Sequence, residues 1–503
     1  MGMKIQLVSS KAVATQAGLL VVLVPEWTAT KKKSAAPAVL AELDAAFGGT
    51  LMTALAAEEY VAKKDSTCVI STLGYTAQPK VAFVGLGSDE PSTASVRTAL
   101  AKASRLANTE KVAEFAVLLP ENFGPHLRAA AEGLELGAYK FSTYFTGDRA
   151  PKKVLGSVKL IINGKAPANA KQLLDQGQAV AAGVNVARDL SNEPPNVVYP
   201  ESFAARAKAM AKTAGLNCKV IDYKEVVRKK MGLLDAVGRG SENKPCMVHL
   251  SYVPKGKASG KKIVFVGKGV TFDTGGISLK PGAGMHEMKH DMSGAANVFG
   301  LMQAIAALRP DIEVHGITPL AENMPAGNAY RPGDIWTSYL GKTVEIQNTD
   351  AEGRLILADA LTYAVELKPD FLVDNATLTG AAVVALGTTC SGWYASSEET
   401  AKIFGDAVQA SGEQMWRMPL LEDQKDQLKS DCADLKNVGD RWGGSITAAL
   451  FLREFIGDTK HWVHADIAGP AMADKVTRWD PRSGTGHGVL TFLSLVERAA
   501  AKK

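Results

Sequence analysis

Two apolar rhythms alternate along the chain. In the first third, short aliphatic or β-branched runs at Gly18–Val24, Lys80–Val84, Glu114–Leu119 and Ser157–Ile162 read as strands, and the opening stretch from Met1 to Ser9 alternates in the same way. Between them, Pro37–Phe47 and Ser95–Ala107 carry the longer period of helices. A run rich in Ala, Gln, Leu and Val from Lys171 to Asp189 reads as one helix, stopped by Asn192-Glu-Pro-Pro-Asn196. Further on, strands are expected at Asn217–Ile221, Ile263–Val266, Glu313–Thr318, Val344–Gln347 and Phe371–Asn375, again interleaved with helices such as Ala295 to Leu308. Alternation of this kind builds layered α/β domains. The expectation is a two-domain α/β protein. A smaller N-terminal α/β domain spans 1–165, a linker helix and its stop span 166–196, and a larger C-terminal α/β domain spans 197–503, with a central mixed sheet flanked by helices.

Ligands of such sheets gather at the carboxyl ends of strands. Lys268, Asp350 and Asn375 each follow an expected strand end. The densest chemistry is the octamer Asn348-Thr-Asp-Ala-Glu-Gly-Arg-Leu355. If it continues the strand before it, Asp350, Glu352 and Arg354 point to one side. Two carboxylates so close repel unless a cation lies between them. Taken alone, the octamer is also a polar turn that caps the following helix. Upstream, Asp273 and Asp291 stand near Lys268 and Lys280, each at the end of an apolar element. Asp291 alone reads equally well as a helix cap, and either lysine alone as a solvated charge. Four carboxylates beside two lysines and an arginine make a plausible two-metal site, since carboxylates suit hard or borderline divalent ions.

The same residues carry a family resemblance. Val266-Gly-Lys-Gly, Thr271-Phe-Asp, Gly275-Gly-Ile-Ser-Leu-Lys-Pro281, Asp291-Met-Ser-Gly-Ala-Ala296, the octamer, Asp374-Asn-Ala-Thr-Leu-Thr-Gly380 and Asp466-Ile-Ala-Gly-Pro-Ala471 occur in order. Together they resemble the leucine aminopeptidase family of di-metal exopeptidases. The N-terminal third matches only in length and layout. The resemblance implies a hydrolase that removes N-terminal residues, leucine and similar ones preferred, through a hydroxide bridging two metal ions. It implies that Lys268, Asp273, Asp291, Asp350 and Glu352 hold the metals, zinc or manganese with magnesium or cobalt as further candidates, and that Lys280 and Arg354 are catalytic. Ala351, Gly353, Arg354 and Leu378 would seat a bicarbonate. Met288, Thr377, Gly380, Ala468 and Ala471 would line the pocket for the first side chain. Peptides with a free N-terminus are the implied partners, in a homohexamer in the cytoplasm.

One motif competes. His286-Glu-Met-Lys-His290 is a literal His-Glu-x-x-His, which on a continuous helix binds zinc in endopeptidases. Pro281, Gly282, Gly284 and Gly294 crowd it, so a continuous helix is not expected and the pair reads as chance. Val84-Gly-Leu-Gly-Ser and Val266-Gly-Lys-Gly do not complete a dinucleotide fingerprint. The other histidines, His249, His315, His461, His464 and His487, read as packing or surface residues.

Composition changes the picture little. At 503 residues, 46% hydrophobic and 22% charged, the chain can bury a large core without disulfides. Five scattered cysteines fit reduced thiols. A net charge of +5 is small for this length, so a DNA-binding or scaffold role of the N-terminal domain is the alternative and nucleic acid is not an expected partner. The only tight basic run, Lys31-Lys-Lys33, reads as a solvated loop. The apolar run Leu19 to Val24 is too short to span a bilayer, so no membrane role is expected.

Overall fold

The computed structural model describes residues 2–27, 29–30, 33–34, 37–151, 154–255 and 260–501. Lys31 and Lys32 of the basic run lie outside them, as do Met1, Lys502 and Lys503. The chain forms two compact units, one of residues 1–182 with 476–481, the other of residues 183–475 with 482–503.

The first unit is a six-stranded sheet in the order Lys4–Leu7, Ser157–Ile162, Glu114–Leu119, Leu20–Val24, Lys80–Gly85, Thr67–Ser71. All neighbours are parallel except the edge strand Thr67–Ser71. Side chains alternate along a strand, and the central strand serves both faces. Leu20, Val22 and Val24 pack with Leu40, Leu43, Leu51 and Leu55 of the short helices Ala38–Ala46 and Leu51–Ala57. Val21 and Leu23 pack with Val96, Leu100 and Leu134 of helices Thr93–Thr109 and Leu127–Ala138. The late segment 476–481 completes this unit. Trp479 is buried under the Arg97 guanidinium, 4.7 Å from the ring centroid, and Arg105 donates to the carbonyls of Arg478 and Asp480.

The second unit is built on a nine-stranded mixed sheet. Its path runs Met415–Arg417, Ser391–Ala395, Trp462–Asp466, Phe371–Ala376, Lys262–Gly267, Glu313–Asn323, Cys246–Tyr252, Asn217–Ile221. The middle strands are parallel and antiparallel pairs lie toward both edges. Strand Glu313–Asn323 is long enough to pair twice, first with Lys262–Gly267 and then with Gly269–Asp273. Helices Ser293–Leu308 and Gly353–Val365 are buried along most of their length. This explains their near-continuous apolar sequence.

One expected strand is placed differently. The segment at Val344 is a strand only over Thr343–Glu345, and it belongs to a separate three-stranded sheet with Ile335–Thr337 and Leu435–Lys436. Among the described residues no single helix is long and apolar enough to cross a membrane.

Candidate metal centre

Five parallel strands of the second unit bring their carboxyl ends together, and each delivers a polar residue: Lys268, Asp273, Asn323, Thr377 and Asp466. Lys268 occupies the break between strands Lys262–Gly267 and Gly269–Asp273. Its N–H donates to the Asn375 carbonyl at 3.0 Å, and its carbonyl accepts from Ala295 at 2.8 Å. That second bond ties the start of helix Ser293–Leu308 to the sheet. The approach is close enough that a Cβ on Gly294 would lie 2.4 Å from the Asn375 oxygen.

The octamer is not an extended continuation of a strand. Thr349 and Asp350 form a turn, with the Asp350 N–H bound to the Asn348 side-chain oxygen at 2.8 Å, and helix Gly353–Val365 begins immediately after Glu352. Alternate-residue geometry therefore does not bring Asp350 and Glu352 together. A turn running into a helix start does.

Asp273, Asp350 and Glu352 each present an oxygen within 4.8 Å of the others. Two lysines are threaded among these acids. Lys268 Nζ lies 2.9 Å from Asp291 Oδ1, 2.9 Å from Glu352 Oε1 and 2.8 Å from the Thr377 carbonyl. Lys280 Nζ lies 2.9 Å from Asp273 Oδ2 and 2.5 Å from Asp350 Oδ1. Lys268, Asp273, Asp291 and Glu352 are buried, while Lys280 and Asp350 form the more open side. Burial pushes the Asp291, Asp350 and Glu352 carboxyls above the usual carboxylate range, and the charge of Asp273 adds to it. Burial would lower the Lys268 ammonium, but Asp291, Glu352 and Asp273 together outweigh it and raise its pKa.

These residues fit divalent cations. Asp291 Oδ2 and Glu352 Oε2 are buried with no hydrogen-bond partner. Unpaired buried oxygens of this kind are costly. Further cations would satisfy them, and oxygen donors with one amine suit hard or borderline ions.

Other residues singled out from the sequence surround this cluster. Arg354 is buried; Nη1 donates to the Asn437 carbonyl at 2.9 Å and Nε has no partner. Burial lowers its pKa to about 10. The Ala351 N–H bonds to the Asn348 carbonyl, and the Leu378 N–H donates to Asp466 Oδ1 at 3.2 Å. Gly353 backs directly onto Lys268, where a Cβ would sit 2.6 Å from Cε. Thr377 Oγ1 donates to Asp291 Oδ1 at 2.8 Å, and the Met288 carbonyl accepts from the Asp291 N–H. Gly380 starts helix Gly380–Leu386 with open space where a side chain would stand. Ala468 is half-buried and Ala471 buried.

The competing histidine pair does not form a metal site. Met285–His290 is a single 3-10 stretch, so the two rings do not share an α-helical face. His290 is buried against the Ser191 hydroxyl at 3.0 Å, whereas His286 is exposed. The resemblance also left several residues without a role. Asn323 donates to both Asp273 Oδ1 and the Thr349 carbonyl at 2.9 Å, Tyr330 donates to the same carbonyl, and Asn437 holds the Gln347 N–H and the Asn348 carbonyl. Asn323 closes the strand Glu313–Asn323, beyond the Thr318 end expected from the sequence, and carried no motif of its own.

Comparison with known proteins agrees with this geometry. Residues 185–493 match the catalytic-domain model of the cytosol aminopeptidase family, and residues 21–147 match its N-terminal-domain model. A probable cytosol aminopeptidase of Geobacter sp. (strain M21) is 40% identical, over 92% of this chain and 94% of the relative. One of Aquifex aeolicus (strain VF5) is 41% identical, over 88% of this chain and 90% of its own length. Among solved structures, a mutant of tomato leucine aminopeptidase superposes with a TM-score of 0.90 at 33% identity, covering 99% of this chain and 96% of its own. The bottromycin maturation enzyme BotP in complex with Mn gives 0.83 at 32% identity, covering 96% and 100%. The chain belongs to the cytosol aminopeptidase family, as a metal-dependent hydrolase that removes residues from the N-termini of peptides.

Proposed function

We propose that Lys268, Asp273, Asp291, Asp350 and Glu352 hold two divalent cations, and that the enzyme uses them to cleave leucine and similar residues from free N-termini. The observation that carries this reading is the pair of buried, unpartnered carboxylate oxygens on Asp291 and Glu352, both beside the Lys268 ammonium, with Lys280 paired to the neighbouring Asp273 and Asp350. When bound, such ions supply Lewis acidity and lower the pKa of water toward neutrality. Lys268 contributes Nζ once its proton is lost, with the incoming cations replacing that proton's charge among the acids. Lys280 has three ammonium protons. Two face Asp273 and Asp350, and the third is free to meet the oxyanion that develops on the scissile carbonyl. One such donor contributes about 2.7–4 kcal/mol to the transition state.

Arg354, with its Nε buried and unpaired, suits a small planar anion, and bicarbonate is our candidate. Ala351, Gly353 and Leu378 lie on the backbone segments that would seat it. A borrowed base is chemically apt here, because Asp273, Asp291, Asp350 and Glu352 would hold cations and Asp466 is engaged by the N–H groups of Leu378, Thr379 and Ala468. Met288, Thr377, Gly380, Ala468 and Ala471 would receive the first side chain. Zinc and manganese are the favoured metals; BotP, a structural relative, was solved with Mn. A homohexamer in the cytoplasm follows from the family likeness.

The test is leucine amide against N-acetyl-leucine amide, using enzyme stripped with chelator and reloaded with manganese or zinc. Cleavage of the free amine alone, restored by either metal, is expected. Equal cleavage of the acetylated substrate, or activity indifferent to metal, would overturn the reading.

A further inference from the structure

We propose that Asp466 is a positioning residue that fixes the shape of the first-side-chain pocket and so sets its preference; this rests on the aminopeptidase reading above. Asp466 ends the inner strand Trp462–Asp466 and is fully buried. Its Oδ1 accepts the N–H groups of Leu378 at 3.2 Å, Thr379 at 3.4 Å and Ala468 at 3.2 Å. Its Oδ2 accepts the Thr379 hydroxyl at 2.6 Å and, at 3.5 Å, that of Ser445.

Apart from Ser445, which stands on helix Gly444–Arg453, these donors come from two different loops. One follows strand Phe371–Ala376 and carries Thr377 and Gly380; the other follows Asp466 itself and carries Ala468 and Ala471. Four of the five proposed pocket residues therefore lie on the two loops that this one carboxylate joins. The strands beneath are paired up to Ala376 and Asp466, and the Ile467 N–H adds one further bond to the Ala376 carbonyl at 2.8 Å. Beyond that bond the carboxylate takes over from the strand ladder.

Two further contacts extend its reach. The Thr379 hydroxyl donates to Asp466 and also accepts from the Ala382 N–H at 3.1 Å, capping helix Gly380–Leu386. The carboxylate thus places the start of the helix on which Gly380 stands. Thr377, two residues before Thr379, offers its carbonyl to Lys268 and its hydroxyl to Asp291. A buried carboxylate accepting several N–H groups makes charge-assisted bonds, and its removal leaves those donors unpaired. Asp466 touches neither metal nor substrate in this scheme. It acts through the pocket walls.

The experiment uses the full-length, manganese-loaded enzyme, with the leucine, methionine and alanine p-nitroanilides as substrates. Asp466→Ala should fold and retain its metal. Its KM for the leucine substrate should rise about tenfold, with a smaller change for alanine, so that the leucine-over-alanine ratio of kcat/KM falls by roughly tenfold, the range one pocket contact controls. Asp466→Asn keeps an oxygen for the three N–H groups and should restore most of that ratio. A loss that is equal for all three substrates, or a lowered Tm with the ratio unchanged, overturns the proposal. If Asp466→Ala does not fold, Thr379→Val decides by the same ratio: a fall supports the proposal and an unchanged value overturns it. Wild-type enzyme inactive on every free-amine substrate sinks the aminopeptidase reading instead. Active wild type with an unaltered ratio in the variants sinks this inference alone.

Discussion

Gly353 has no room for a side chain, because Lys268 lies against its backbone. Gly353→Ala would push the Lys268 amine away from Asp291 and Glu352, and misplacement of about 1 Å near the chemistry costs roughly 100-fold. We expect metal content to fall together with activity, read by elemental analysis of the purified variant. Arg354→Ala should behave differently. Its partners are the Asn437 carbonyl and the proposed anion, so metal should stay bound while turnover drops by about 10²–10⁴-fold, the range of acid–base assistance. Unchanged turnover at saturating peptide would remove Arg354 from the mechanism. Most of these residues were legible from the chain because the acids and lysines recur in ordered motifs. Asn323, Tyr330 and Asn437 were not, since they act through hydrogen bonds to backbone that only the folded register creates.

The octamer shows at the level of elements how strand logic can bring Asp350 and Glu352 together for a mistaken reason. Alternation predicted convergence along one strand, but Thr343–Glu345 is short, lies in a side sheet, and gives way to a turn and a helix. The strands Glu114–Leu119, Ser157–Ile162 and Asn217–Ile221 lie where the sequence placed them, to the residue. Trp462–Asp466 escaped notice because His464 and Asp466 interrupt its apolar pattern. The structure explains the interruption. His464 Nδ1 meets Asp374 Oδ1 at 2.5 Å on the adjacent strand, and Trp462 Nε1 donates to Asp374 Oδ2. Burial would lower the His464 pKa, but the facing Asp374 outweighs it and raises the value. The folded state therefore holds this proton more tightly than the unfolded chain does. The stability it adds is complete below the unfolded value of about 6.5 and is lost as pH rises through the higher folded value. His464→Gln should accordingly cost about 3–5 kcal/mol at pH 6, as expected for a broken buried pair, and less in alkaline buffer. Denaturant melts at both pH values test this, and a cost that grows with pH would contradict it.

Metal binding and folding should be linked across the whole molecule. The centre is assembled from strand ends and loops spread between Lys268 and Glu352, so the unfolded chain has no preformed site. Chelation should lower the Tm, and manganese at about 100 times its Kd should restore about 2.7 kcal/mol of stability for each site filled. Asp350→Ala combined with Glu352→Ala should abolish that response in a thermal melt. A metal-dependent Tm shift surviving in the double variant would place the ions elsewhere. Fold class and two-unit layout were readable from the alternation of apolar runs. The membership of 476–481 in the first unit was not, because nothing local in that stretch signals a partner hundreds of residues earlier.

That late segment has a consequence for biosynthesis. The ribosome delivers Arg97 and Arg105 early, yet the carbonyls of Arg478 and Asp480 that Arg105 binds follow it by 373 and 375 residues, and Trp479 lies between them. Until then Arg97 has its Glu132 partner but not the Trp479 ring, and Arg105 lacks those two carbonyls, so the N-terminal unit cannot reach its finished state before residues 183–475 of the second unit have been made.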